Sequence, residues 1–104
     1  MAQFDVYENM NQGTRETFPY LLDIQADVLS DLPTRVVVPL VFSSVLKKTI
    51  PILTPQFNIL ETEVRMVTPQ LVGVQLHLLG TRICSIKEQR AEIIAALDLL
   101  VTGF

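Results

Sequence analysis

The 104 residues include one cysteine, one histidine, four glycines and no tryptophan, and only 18% of them are charged. Each scarcity removes a class of chemistry. The lone Cys84 excludes an intramolecular disulfide. Together with the lone His77 it falls short of the four nitrogen or sulfur ligands that a structural zinc takes. No spaced Cys, His and Asp cluster makes up the difference, so neither a metal nor a cofactor is expected. Four dispersed glycines cannot build a phosphate-cradling loop. No apolar run is long enough to span a bilayer, and Met1-Ala2-Gln3-Phe4-Asp5 shows neither a basic leader nor an apolar stretch of signal length. A soluble, cytoplasmic chain without a membrane partner is the expectation.

Positive charge is also scarce. The net charge is −3 and the isoelectric point about 4.9. The five arginines are scattered, and only Lys47-Lys48 are adjacent. A protein that grips phosphates does so with clustered Lys and Arg that release counterions; sequence-specific nucleic acid is therefore not expected as a partner, and a protein or a basic peptide suits the balance better. What the chain does have is apolar residues, 49% of the total. A single domain over residues 1–104 buries roughly two-thirds of its unfolded surface, and this content exceeds what one such core needs. The surplus predicts an interface, most simply a homodimer.

The hydrophobic period is mostly two. Phe4 and Val6 alternate with polar neighbours in a first strand; Asn9 to Thr14 reads as a turn region, and a second strand from about Tyr20 to Gln25 completes a hairpin. Acidic and turn residues interrupt the pattern over Ala26 to Pro33. Thr34 to Leu40 is the strongest strand signal, β-branched and apolar enough for burial on both faces, with Pro39 expected to end its pairing. Ser43 to Lys48 suggests a single helical turn stopped by Pro51. Strands over Phe57 to Leu60 and Glu63 to Val67 flank a turn at Glu61-Thr62-Glu63, and Val72 to Leu79 alternates as one further strand.

The last element is a helix. Ser85-Ile86-Lys87-Glu88 fits a capping box, and Ile86, Ile93, Ile94, Leu97, Leu100 and Val101 fall on one stripe. Antiparallel strands followed by one C-terminal helix, without a βαβ rhythm, give an α+β fold or small barrel. Catalytic constellations are lacking: His77 reads as a surface residue, Cys84 as a small buried filler, and Glu61 with Glu63 as a solvated hairpin tip rather than an acid–base pair.

Four blocks together carry a resemblance. Gln3-Phe4-Asp5-Val6-Tyr7, Asp23-Ile24-Gln25-Ala26-Asp27-Val28-Leu29, Arg35-Val36-Val37-Val38-Pro39-Leu40, and Arg90 through Gly103 to an apolar end resemble, in register, the CcdB toxin family of plasmid and chromosomal toxin–antitoxin modules. The resemblance implies a homodimer with a small SH3-like antiparallel barrel sheet and a C-terminal helix, a fold shared with the MazF and Kid toxins. It implies a non-enzymatic poison of DNA gyrase whose last three residues, here Thr102, Gly103 and Phe104, enter the A subunit and trap the cleaved-DNA state. Family members commonly carry Trp where this chain has Thr102 and an aliphatic residue where it has Phe104. The antitoxin, CcdA-like with a disordered C-terminal segment, would dock on Val28, Leu29, Asp98, Val101, Thr102 and Gly103; read by themselves, Val28 and Leu29 fit a core equally well. The dimer contact would involve Leu71, Val72, Gly73, Val74 and Leu100. Two alternatives stay open: a MazF-like endoribonuclease using Arg35 or Arg65, and a non-toxic homologue that binds antitoxin only.

Overall fold

A computed structural model of the chain describes residues 2–103. Among these, seven strands and one α-helix follow in the order β1 (Asp5–Asn9), β2 (Tyr20–Asp23), β3 (Thr34–Phe42), β4 (Gln56–Ile59), β5 (Thr62–Met66), β6 (Val72–Gln75), β7 (Leu79–Ser85) and α1 (Arg90–Thr102). All pairings are antiparallel, in the order β4-β5-β3-β2-β1-β7, with β6 also on β3. The sheet curls into a half-barrel closed by the C-terminal helix, the α+β, SH3-like architecture expected from the sequence.

β3 is the organising strand. One edge pairs with β2, while the other is shared, residues 34–37 with β6 and residues 40–42 with β5. The strand does not stop at Pro39 but runs through it to Phe42. The reason is local. Val67 donates its N–H to the Pro39 carbonyl at 3.0 Å, so this residue's polar groups face the β5/β6 edge, as the antiparallel ladder puts a residue's N–H and C=O on one side. The missing proline N–H thus falls in the gap between two partners, where no ladder bond is lost.

Alternation sorts β1, β2 and β3 into two buried faces. Val6, Leu22, Val38 and Leu40 join Phe57, Ile59, Val64 and Met66 in the main core, which α1 closes with Ile93 and Ala96. On the opposite face Tyr7, Leu21 and Val37 pack with Leu79 under the curl of the sheet. Burial on both sides accounts for the near-continuous apolar reading of β3.

Several local expectations are corrected. Residues 43–48 form turns without a helical segment; Val45 N–H reaches Phe42 O instead. The segment predicted as a single strand from Val72 to Leu79 is broken by a 3₁₀ turn at Leu76–Leu78, and β7 follows as an unpredicted strand beside β1. The capping box does not form: Ser85 Oγ accepts from Lys87 N–H at 3.3 Å, because a 3₁₀ turn at Lys87–Gln89 precedes the helix. The helical stripe is also narrower than expected, since small Ala96 lets α1 approach closely while Leu100 and Val101 stay 38% and 78% exposed.

Among the described residues, non-glycine positions adopt positive φ in two places. Phe4 has a φ of 71° and is held by two backbone bonds, its N–H to Asp23 O at 2.6 Å and Ile86 N–H to its own carbonyl at 2.9 Å. The β4–β5 turn lies at Leu60-Glu61, one residue earlier than expected, with φ of 50° and 66°. Two consecutive left-handed residues are what a type I′ hairpin turn needs, and Asn-Gly fits it far better than Leu-Glu. Combining Leu60→Asn with Glu61→Gly should relieve about 1 kcal/mol or more. That would raise the thermal midpoint by roughly 4–8 °C; calorimetry showing an unchanged or lower midpoint would contradict this account of the turn.

Candidate functional site

The helix ends by a left-handed glycine. Gly103 has a φ of 78° and donates its N–H to Leu99 O at 3.0 Å, closing a carbonyl that the helix would leave open. Thr102 Oγ1 donates to Asp98 O at 2.7 Å, so the hydroxyl is turned back into the helix. Asp98, Val101, Thr102 and Gly103 are all exposed. Phe104 lies outside the described residues. The last turn carries no basic side chain. Asp98 therefore adds its charge to the negative end of the helix dipole without compensation. An apolar Val101 next to that negative end is a surface suited to a partner with aliphatic and basic groups.

A second exposed apolar element follows β2. Asp27–Leu29 form a 3₁₀ turn none of whose residues is buried; Val28 is 88% and Leu29 47% exposed. Both therefore lie outside the core. Among the described residues no hydrogen bond or ion pair joins this turn to the helix end.

Beneath the turn lies a network that reading the sequence alone missed. Asp23 and Arg35 are fully buried. Asp23 sits opposite Val37, which makes Arg35 its diagonal neighbour on the same face, within reach of a long side chain. Arg35 Nε and Nη2 both donate to Asp23 Oδ2, at 2.9 and 2.6 Å. The other oxygen, Oδ1, accepts Gln25 N–H at 2.9 Å. Gln25 is buried as well and bridges outward: its Oε1 accepts Val36 N–H at 2.9 Å and its Nε2 donates to Leu29 O at 2.8 Å. Burial pushes the Asp23 carboxyl upward, opposed by its bonds to Arg35 and Gln25. An acid inside an apolar run on β2 and an arginine at the head of β3 was the available signal, visible only once the two strands are registered.

Of the residues expected at a dimer contact, Leu71 leads into β6, Val72, Gly73 and Val74 lie on it, and Leu100 is on the last turn of α1. β6 is paired with β3 alone, and α1 packs against the Thr68–Gln70 turn that leads into Leu71. Leu71, Val72, Gly73 and Leu100 are exposed, whereas Val74 is half-buried and packs toward Tyr7, Leu21 and Val37. Val72 and Val74 also line an apolar groove of about 320 Å³ with Phe18, Leu21, Pro39 and Leu78.

A family model described as CcdB protein matches residues 3–103, nearly the whole chain. The chain belongs to the CcdB family. Membership makes it a toxin of a toxin–antitoxin module. Comparison with curated proteins finds no match.

The remaining chemistry-bearing residues of this CcdB-family chain are dispersed. His77 is exposed on the Leu76–Leu78 turn, and Glu61 and Glu63 are exposed about the β4–β5 hairpin. Among the described residues no three His, Cys, Asp or Glu side chains gather where they could hold a metal ion. No helix among them is long and apolar enough to cross a membrane. Asp5 is buried, accepting from Tyr7 Oη at 3.3 Å and pairing with Arg82 at 3.1 Å. Cys84, half-buried on β7 opposite Val6, has its thiol pushed up by desolvation, with Arg82 acting in the opposite sense. A thiol raised above its ordinary value holds less thiolate at neutral pH. Cys84, expected as a buried filler, is only partly covered against the core; it should therefore react with iodoacetamide more slowly than glutathione between pH 7 and 8 and accelerate on unfolding in urea, and a rate equal to or above glutathione's in the native protein would contradict a desolvated thiol.

Proposed function

We propose that this CcdB-family toxin acts by binding, without catalysis of its own, on the A subunit of DNA gyrase. Thr102, Gly103 and Phe104 are the gyrase-contacting residues. The observation that carries this reading is the helix end itself: an exposed apolar turn, closed by a left-handed glycine, that contributes nothing to the core. Its action is thermodynamic. A ligand that binds the cleaved, open complex more tightly than the closed one shifts gyrase toward it by that difference in affinity, and cleaved DNA accumulates.

Neutralisation follows from the same surface. A CcdA-like antitoxin with a disordered C-terminal segment covers Val28, Leu29, Asp98, Val101, Thr102 and Gly103, and in covering the helix end it denies that end to gyrase. The uncompensated negative charge at Asp98 suits basic residues in that segment. The toxin works as a cytoplasmic homodimer joined through Leu71, Val72, Gly73, Val74 and Leu100, a contact supported by the unpaired edge of β6 and the apolar groove beside it.

The endoribonuclease alternative finds less support. Arg35 has no exposed surface and is engaged by Asp23, while Arg65 donates to Thr54 O at 2.8 Å. Arg35 is therefore out of reach of a phosphate, and half-buried Arg65 has one nitrogen tied to the backbone.

Deleting Gly103 and Phe104 should abolish gyrase-dependent cleavage of plasmid DNA and leave the thermal midpoint within a few degrees of the intact protein, because the core-packing residues of α1 all precede the last turn. Full cleavage by the truncated chain would overturn the assignment; RNA cleavage by the intact chain with no linearised plasmid would favour the ribonuclease. Asp98→Lys should raise the thermal midpoint slightly, through its favourable place at the helix C-terminus, and weaken binding to a CcdA-like antitoxin by about tenfold or more. Equal or tighter binding in calorimetric titration would contradict a basic partner segment.

A further inference from the structure

We infer that Gln25 is a positioning residue for partner binding, a buried strut that fixes the Val28–Leu29 turn in its protruding form. The inference rests on the reading of that turn as an antitoxin-docking surface and adds what holds it there. The turn has no apolar anchor: none of Asp27, Val28 and Leu29 is buried. A three-residue projection without burial takes its position from hydrogen bonds, and two link it to the rest of the fold. Asp27 Oδ1 accepts Gln3 N–H at 2.8 Å, an exposed contact. Gln25 Nε2 donates to Leu29 O at 2.8 Å, and only this bond is rooted in the interior.

The geometry of Gln25 explains why it works as a strut. Gln25 is 5% exposed, and its amide orientation is fixed by what it meets. Oε1 faces an N–H, that of Val36, and Nε2 faces a carbonyl, that of Leu29; flipping the amide would oppose donor to donor and acceptor to acceptor. Its own N–H is fixed by Asp23 Oδ1 and its carbonyl receives Arg35 Nη2 at 3.4 Å. The side chain thus spans from the backbone of β3 to the end of the turn. Preorganising an exposed recognition element lowers the ordering cost of binding, and a carboxamide of this length meets both backbone groups at once.

The test compares Gln25→Glu and Gln25→Met with the native chain at pH 8. Gln25→Glu keeps an acceptor for Val36 N–H but loses the donor to Leu29 O; Gln25→Met keeps the shape and loses both. In each variant, amide hydrogen exchange at Leu29, Ser30 and Leu32 should accelerate at least tenfold while exchange at Leu22 and Val38 changes less than threefold, and affinity for the C-terminal segment of a CcdA-like antitoxin should fall at least fivefold. Unchanged turn exchange, or equal acceleration of turn and core amides, would overturn the strut. If one variant does not fold, the other supplies the same comparison. Val28→Asp separates the two readings: exchange that accelerates in the Gln25 variants while neither they nor Val28→Asp weaken antitoxin binding would keep the strut and overturn the docking reading it rests on.

Discussion

The buried pairing of Asp23 with Arg35 is the constraint on which the working parts of this molecule depend. Two charges without solvent exposure, at 2.6 Å, tie the end of β2 to the beginning of β3. Apolar packing resists a slip of these strands only through alternation. The ion pair adds a register mark that no neighbouring pairing reproduces, the best-attested use of a buried charge pair. It also orders the segment after β2. With Asp23 Oδ1 engaged by Gln25 N–H, the chain leaves β2 in a fixed direction, and the turn carrying Val28 and Leu29 projects from a rigid base.

Polar groups therefore do the holding where apolar ones are on display. The helix end repeats the theme: Leu100 and Val101 leave the core at the last turn, and Gly103 N–H and Thr102 Oγ1 close the backbone behind them. Ile93 and Ala96, with Ile94 and Leu97 partly buried beside them, dock α1 on the core, and its last turn stays outside it. Both apolar elements, the Val28–Leu29 turn and the last turn of the helix, are held by hydrogen bonds and left exposed by folding. Thr102, where the family resemblance implies a tryptophan, has its hydroxyl bonded internally to Asp98 O.

Much of this was legible in the sequence. β3 announced itself through Val36, Val37 and Val38, and α1 through its helical period, because burial dictates residue type directly in both. The α+β class followed from their order. The misreadings share a physical origin in tertiary context. Pro39 ends a strand only if its N–H side faces a partner, and that depends on where β5 and β6 meet. Ser85 caps a helix only if the helix starts there, and a 3₁₀ turn intervenes. β7 was hidden because its burial runs from buried Leu79 through exposed Thr81 and Arg82 to half-buried Ile83–Ser85 without alternation, and its pairing with β1 is irregular. Of the candidate site, Val28, Leu29, Val101 and Asp98 were placed on the surface through family resemblance, since an exposed and a buried valine look alike in one sequence. The Asp23–Arg35–Gln25 network was invisible for a related reason: a diagonal pair across strands has no signature until the register is known.

The direct test of this account is a double-mutant cycle on Asp23→Asn and Arg35→Met, read as unfolding free energy in urea. Each single change strands a buried group and should cost about 3–5 kcal/mol. The double variant should recover a large part of that loss, giving a coupling energy of roughly 2 kcal/mol or more. Additive losses, with a coupling below about 0.5 kcal/mol, would mean that the two charges do not depend on each other and that the register of β2 on β3 is held by something else.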